Sequence, residues 1–232
     1  MSKVIIIAID TDTGKTIATG LIAKNLKLIE NNITTMKLAQ TGCEGISEDI
    51  VRHRQLMGID LLDIDKSKLT CPYIFKMAAS PHLAASLEGS TIFTNHLNNT
   101  INKLESSYNI TIIEGIGGLM VPLNTDYLLA DFIQEQSLKA ILVTSSKIGS
   151  LNHTFLTLEA LKNRDINLIG IVYNHFPQTN SFILNDTRQQ IKNRSKYLYP
   201  NSLWAEMSNI SIKDSIDLMP SSMDWYQAIV AN

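Results

Sequence analysis

The chain has 232 residues, 44% hydrophobic and 18% charged, with a formal net charge of −2. That balance describes a folded chain long enough to bury one large core, not a disordered tail or a disulfide scaffold. It provides no broad basic field, so nucleic acid is not expected as a partner. Cys43 and Cys71 stand at no metal-ligand spacing and read as reduced thiols. The apolar run Val4 to Ile9 is too short for a secretory core or a bilayer span, and no later stretch is long enough either. A cytoplasmic protein with no membrane partner is expected.

Val4 to Ile9 is a run of mostly β-branched residues, the pattern of a strand buried on both faces. A polar turn, Asp10 to Gly14, follows. Lys15 to Leu28 then carries Ile17, Leu21, Ile22 and Leu26 at helical spacing. Thr34 to Leu38 predicts a second strand. Ser80-Pro81 marks a helix start running through Leu87, and Asn95 to Ser106 predicts another helix. Strands are predicted at Ile110 to Ile113, Ala140 to Thr144 and Leu168 to Tyr173, with a helix from Ser150 to Arg164 between the last two. Asn174 to Asn180, with Pro177, reads as a loop, and Ser195 to Pro220 as loop and short elements. This alternation predicts an α/β fold with a mostly parallel central sheet. No repeat or linker interrupts it, so residues 1–232 read as a single domain.

The nucleotide enters through Asp12-Thr13-Gly14-Lys15-Thr16. A Gly-Lys-Thr triplet between a buried strand and a helix is the context in which such a triplet holds phosphates. Gly14 admits an anion close to the backbone, and successive amides at the helix start, from Asp12 to Ile17, point at the phosphates. Lys15 places a charge on the terminal phosphates, and the Thr16 hydroxyl suits Mg²⁺. Ala8 stands where the pattern has its first glycine, which requires negative φ there.

Glu114 ends a buried strand and is followed by Gly115-Ile116-Gly117-Gly118, the place where ligands collect in an α/β sheet. It suits a metal role. Asp49 is a weaker candidate, since acids at a helix start also serve the dipole. Lys37 ends the second strand, so Lys15 and Lys37 could face one anionic group. His53 and His96 read as surface groups, and His82 as helix-start packing. Trp204 and Trp225 read as core or interface aromatics.

Together these fragments resemble the dethiobiotin synthetase family. They are Asp10 to Thr16, Lys37 with Thr41-Gly42, Asp49, Ser80-Pro81-His82, Glu114 to Gly118, Lys147 to His153, and Asn174, in collinear order. The resemblance implies a three-layer αβα P-loop NTPase-like fold. It implies ring closure of 7,8-diaminononanoate with CO₂ and MgATP, through a carbamate and a carbamic–phosphoric anhydride. It casts Lys15 and Lys37 as catalytic, and Thr16, Asp49 and Glu114 as Mg²⁺ ligands. Thr11 and Thr41 contact substrate, and Asn174 with His175 lies near the adenine. A homodimer is implied, with Ser150, Leu151 and Asn152 offering a helix start to the partner's substrate. Asp12, Thr41, Leu38 and His175 depart from the family's usual residues. Two alternatives remain open: another carbon–nitrogen ligase of this loop class, and an ATP-driven dimerising switch. Partition and septum-site ATPases carry a lysine where this chain has Asp10.

Overall fold

Strand β1, Ser2–Ala8, is fully buried from Val4 onward, and its alternation divides the core. In the computed structural model, which describes residues 1–177, 180–208 and 220–231, successive β1 side chains point to opposite sheet faces. Ile5 and Ile7 join one apolar cluster, and Val4, Ile6 and Ala8 join the other. The two helical layers cover these faces. That is a three-layer αβα sandwich.

Helix α1 is Lys15–Leu26, followed by β2 (Ile33–Lys37), the short β3 (Gln40–Thr41), α2 (Glu48–Met57) and α3 (Asp63–Lys66). Then come β4 (Ile74–Phe75), α4 (Pro81–Leu87), α5 (Thr94–Glu105), β5 (Ile110–Glu114), β6 (Pro122–Asn124), β7 (Tyr127–Leu128) and α6 (Leu129–Glu135). The chain continues through β8 (Lys139–Ser145), α7 (Ser150–Asn163), β9 (Leu168–Asn174), α8 (Ser181–Leu198), β10 (Leu203–Met207) and α9 (Ser222–Val230). The main sheet has the order β10-β9-β8-β1-β5-β2 and is parallel throughout. Helices α1, α2 and α9 pack on one face; α4, α5, α6 and α7 pack on the other. Cys43 and Cys71 are buried and unbridged. Among the described residues no helix is long and apolar enough to cross a membrane.

The expected strands and helices form, with ends moved by a residue or two. The C-terminal third differs. Ser195 to Pro220 was expected to be loop and short elements, yet α8 runs unbroken to Leu198 and β10 adds a sheet edge; residues 209–219 lie outside the described residues. The cause lies in what α8 buries: Thr187, Ile191 and Ser195, one apolar residue between two small hydroxyls at four-residue steps. Such a face leaves almost no hydrophobic periodicity.

Trp225 on α9 is fully buried against Gly170 of β9, where an added Cβ would come within 2.7 Å of the indole. Trp225→Ala should cost about 3–5 kcal/mol, read as a lower denaturation midpoint at unchanged slope. An unchanged midpoint would show that α9 does not close this core.

Candidate active site

The loop between β1 and α1 is shaped by two left-handed residues, Asp12 at φ 56° and Gly14 at φ 101°. Gly14 is obligatory for a second reason: a Cβ there would lie 2.6 Å from Asn174 Nδ2 and 2.9 Å from Met207 Cε. Ala8 is an ordinary buried strand residue paired with Val143 and is not among the positive-φ residues, so its methyl group meets the condition set by the sequence. Lys15 Nζ folds back to donate to the Asp10 carbonyl at 3.0 Å, and Thr13 Oγ1 donates to the same oxygen at 2.9 Å. Burial lowers the Lys15 pKa to about 8; neighbouring Lys37 adds to that, and Glu114, Asp49 and Asp10 oppose it.

Register builds the polar centre. Lys37 is the Cα partner of Glu114 across β2 and β5, and Thr35 is the partner of Ile112. Paired residues of a parallel sheet share a face, so Thr35, Lys37 and Glu114 all point toward α1 and α2. Glu114 is wholly buried. Its Oε1 accepts from Lys37 Nζ at 2.8 Å and from Thr16 Oγ1 at 3.0 Å, and its Oε2 meets His53 Nε2 at 2.7 Å. Lys37 Nζ also reaches Asp49 Oδ2 at 2.8 Å. Burial opposes ionisation of Glu114, but the Lys37 charge and the His53 contact win and hold its carboxyl far below the usual range. Burial likewise opposes the charge on Lys37; Glu114 and Asp49 outweigh it and raise its pKa.

Two sequence expectations change here. His53, expected at the surface, is fully buried and bound to Glu114. It sits one turn after Asp49 on α2, within the inward stripe Ile50, His53, Arg54 and Met57. That stripe was visible as a helical period, but a histidine and an arginine interrupt its apolar character. Arg54 is itself buried and closes a pair with Asp65, Nε to Oδ2 at 2.9 Å and Nη2 to Oδ1 at 2.8 Å. His175, expected beside the base, belongs to the other sheet face. Its ring bonds Glu206 at 2.8 Å and packs edge-on against Tyr173, because residues 173 and 175 share a side and 174 takes the opposite one.

A cavity of about 1000 Å³ opens over these groups. Thr11, Asp12, Gly14, Lys15, Thr16, Ile17, Lys37, Thr41, Asp49, Glu114, Ile116, Gly117 and Asn174 line it. Thr13 and Gly115 stand just behind, the latter donating its N–H to the Ile6 carbonyl at 2.9 Å. Ser150, Leu151 and Asn152 open α7 outside the lining, with Ser150 Oγ buried and unpartnered. Sequence reasoning missed Gln40, Arg52, Phe176 and Met207, which also line the cavity. Arg52 lies three residues after Asp49 on α2, a spacing that could have marked it.

Thr16 tests the fit of a cation. Its hydroxyl carries one proton yet approaches both Asp49 Oδ1, at 3.1 Å, and Glu114 Oε1, at 3.0 Å. One oxygen–oxygen approach is therefore unbridged, among three hard oxygen donors. No group of three or more His, Cys, Asp or Glu residues suited to a metal occurs among the described residues. Mg²⁺ needs none, since it takes one or two carboxylates and completes its shell with phosphate and water. The donor set fits it.

A phosphate loop at the end of a central parallel strand, with a buried acid at the end of the next strand, defines a P-loop nucleotide-binding protein. A family model described as an AAA domain matches residues 2–203. The cell division ATPase MinD of Pyrococcus furiosus superposes with a TM-score of 0.53 over 98% of both chains, at 15% identity, a likeness of fold alone. An ATP-dependent dethiobiotin synthetase of Pasteurella multocida is 41% identical over 213 residues, 91% of this chain and 100% of the relative. Another, of Chlorobaculum tepidum, is 45% identical over 79% of this chain and 77% of its own. The chain belongs to the ATP-dependent dethiobiotin synthetase family.

Asp65 supplies a pH test of the Arg54 pair. Burial opposes its charge, but the Arg54 hydrogen bonds and charge prevail and lower its pKa below 3.8. A depressed carboxyl stabilises the fold above its unfolded pKa and loses that contribution as pH falls through the folded one. Asp65→Asn should therefore cost about 3 kcal/mol at pH 7, because Arg54 is left buried and uncompensated. The gap from wild type should narrow below pH 3.8 in acid-unfolding curves. A pH-independent gap would rule out the ion pair as its source.

Proposed function

We propose that the protein closes the ureido ring of dethiobiotin from 7,8-diaminononanoate, CO₂ and ATP. The observation that carries this reading is the convergence of Lys37 and Thr16 on one Glu114 oxygen, at 2.8 and 3.0 Å, beside the loop that holds Lys15. A phosphate loop alone serves many reactions. A second lysine facing the same space adds a charge where a carbamate and a transferred phosphoryl group would meet.

In the proposed sequence one substrate amine adds to CO₂ and loses a proton, giving a carbamate. The carbamate oxygen takes the γ-phosphoryl group from ATP, releasing ADP. The second amine then attacks the carbonyl of the mixed anhydride and expels phosphate. Each step concentrates negative charge, so catalysis rests on position and electrostatic stabilisation. Lys15 binds phosphates and carbamate. Lys37 has three N–H donors, two of them engaged by Asp49 and Glu114, and offers the third to the reacting group. Mg²⁺, held by Thr16, Asp49 and Glu114, would neutralise phosphate charge. Thr11 and Thr41 contact the diamine. Asn174 reads adenine with its amide already oriented, Nδ2 to the Thr13 carbonyl at 3.0 Å and Oδ1 from the Phe176 N–H at 3.0 Å. Residues 1–232 act as one ATP-binding unit in a cytoplasmic homodimer, and Ser150, Leu151 and Asn152 receive the carboxylate of the partner's substrate.

Mass spectrometry after mixing the protein with diaminononanoate, bicarbonate and MgATP should find dethiobiotin, with ADP formation dependent on both other substrates. ADP released regardless of the diamine would sink the reading. Lys37→Ala should lower kcat about 10²–10³-fold, as loss of one oxyanion donor does. ADP binding should persist, and unchanged turnover would remove Lys37 from the chemistry. Lys15 gives a third test. Near pH 8 the free protein carries it partly neutral, and a bound phosphate restores its charge. ADP binding should therefore take up a fraction of a proton at pH 8 and almost none at pH 6, measured by calorimetry in buffers of different ionisation enthalpy. Affinity should fall as pH rises past about 8.

A further inference from the structure

His53 does not itself line the cavity, yet it is bound to the most buried acid of the site. A line of buried polar groups stands behind it. Arg54 has donors only, and its Nη1 donates to Thr35 Oγ1 at 2.8 Å. Thr35 Oγ1 in turn meets His53 Nδ1 at 3.1 Å. The ionised Glu114 can only accept, so Nε2 carries a proton and donates it to Oε2 at 2.7 Å. Asp65 anchors the start of the chain, and also accepts from Thr70 Oγ1 at 2.7 Å and the Leu62 N–H at 2.8 Å. Every link from Asp65 to Glu114 is buried.

We propose that His53 is a positioning residue. Held from behind by Asp65, Arg54 and Thr35, its ring keeps the Glu114 carboxylate turned so that the other oxygen faces Thr16, and thereby sets the affinity of the site for a divalent cation. The inference rests on the reading of Glu114 as a cation ligand. Stability alone does not account for the chain. A buried Arg–Asp pair with attendant polar groups is no more stable than well-packed apolar side chains of the same volume. Such packing would, however, leave Glu114 Oε2 without a donor and its plane free to turn. A fixed donor behind a metal carboxylate is what orients it.

The test is calorimetric titration of Mg²⁺ into the protein saturated with the β,γ-methylene analogue of ATP. His53→Leu should weaken Mg²⁺ binding about 10–100-fold, and His53→Gln, whose amide N–H can occupy the place of Nε2, should recover it to within about threefold. Affinity for the analogue in EDTA should be unchanged in both, a separation that general loosening of the fold would not produce. Glu114→Gln is the control for the parent reading. If it loses Mg²⁺ and His53→Leu does not, the positioning role is wrong and the ligand role stands. If neither loses it, Glu114 is not a ligand and both ideas fall. Should His53→Leu not fold, Thr35→Val keeps every charge and removes the hydroxyl that meets His53 Nδ1 and accepts from Arg54 Nη1. Mg²⁺ binding should weaken in Thr35→Val while affinity for the analogue in EDTA stays the same. Unchanged Mg²⁺ affinity in Thr35→Val would overturn the proposal.

Discussion

The site is organised around a negative charge with no access to water. A carboxylate as buried as Glu114 is untenable without donors, and its oxygens are met from three directions by Lys37, Thr16 and His53. Those donors come from β2, α1 and α2, so one side chain ties the phosphate loop to the second strand and to the helix that follows it. The arrangement needs the loop to begin where β1 ends and β2 to end level with β5. Both follow from parallel register, with Ile6 and Lys37 each paired to Glu114.

Much of this was legible in residue types. The β-branched runs announced buried strands, the Gly-Lys-Thr triplet announced an anion site at a helix start, and a strand closing on an acid before glycines marked the other half of the site. These signals survive because each expresses a local constraint: strand burial, left-handed backbone at Gly14, or a helix terminus. His53 was not legible, since burial of a histidine is decided by a carboxylate sixty-one residues away in the chain. His175 was misplaced for a related reason. Its neighbour Asn174 lines the cavity, but adjacent strand residues point apart, and only the sheet shows which side is which. Helix α8 escaped notice because it packs through Thr187 and Ser195 as much as through Ile191.

Asn174 joins the two ends of the cavity. Its amide bonds the phosphate loop at Thr13 and the chain just beyond β9 at Phe176, which decides which end is oxygen and which nitrogen. One N–H and one lone pair remain, a pattern complementary to the outer edge of adenine. The lack of a side chain at Gly14 is what lets this amide approach so closely. Glycine there shapes the Asn174 side of the cavity as well as the loop. The two hydrogen bonds orient the amide on folding, before any ligand arrives.

Parallel pairing also governs where the polypeptide can change length. Connections at the amino-terminal rim, such as that between Leu26 and Ile33, touch no part of the cavity and can gain or lose residues without altering which side chains face which layer. The tract from Ile110 to Glu114 has no such latitude. One residue inserted there would rotate the acid half a turn, into the oily layer that holds Ile113 and Leu104, and would present Ile113 to the ammonium group instead. Length is thus free to vary in a connection such as Leu26 to Ile33, and is as constrained as residue identity along the strand that carries Glu114.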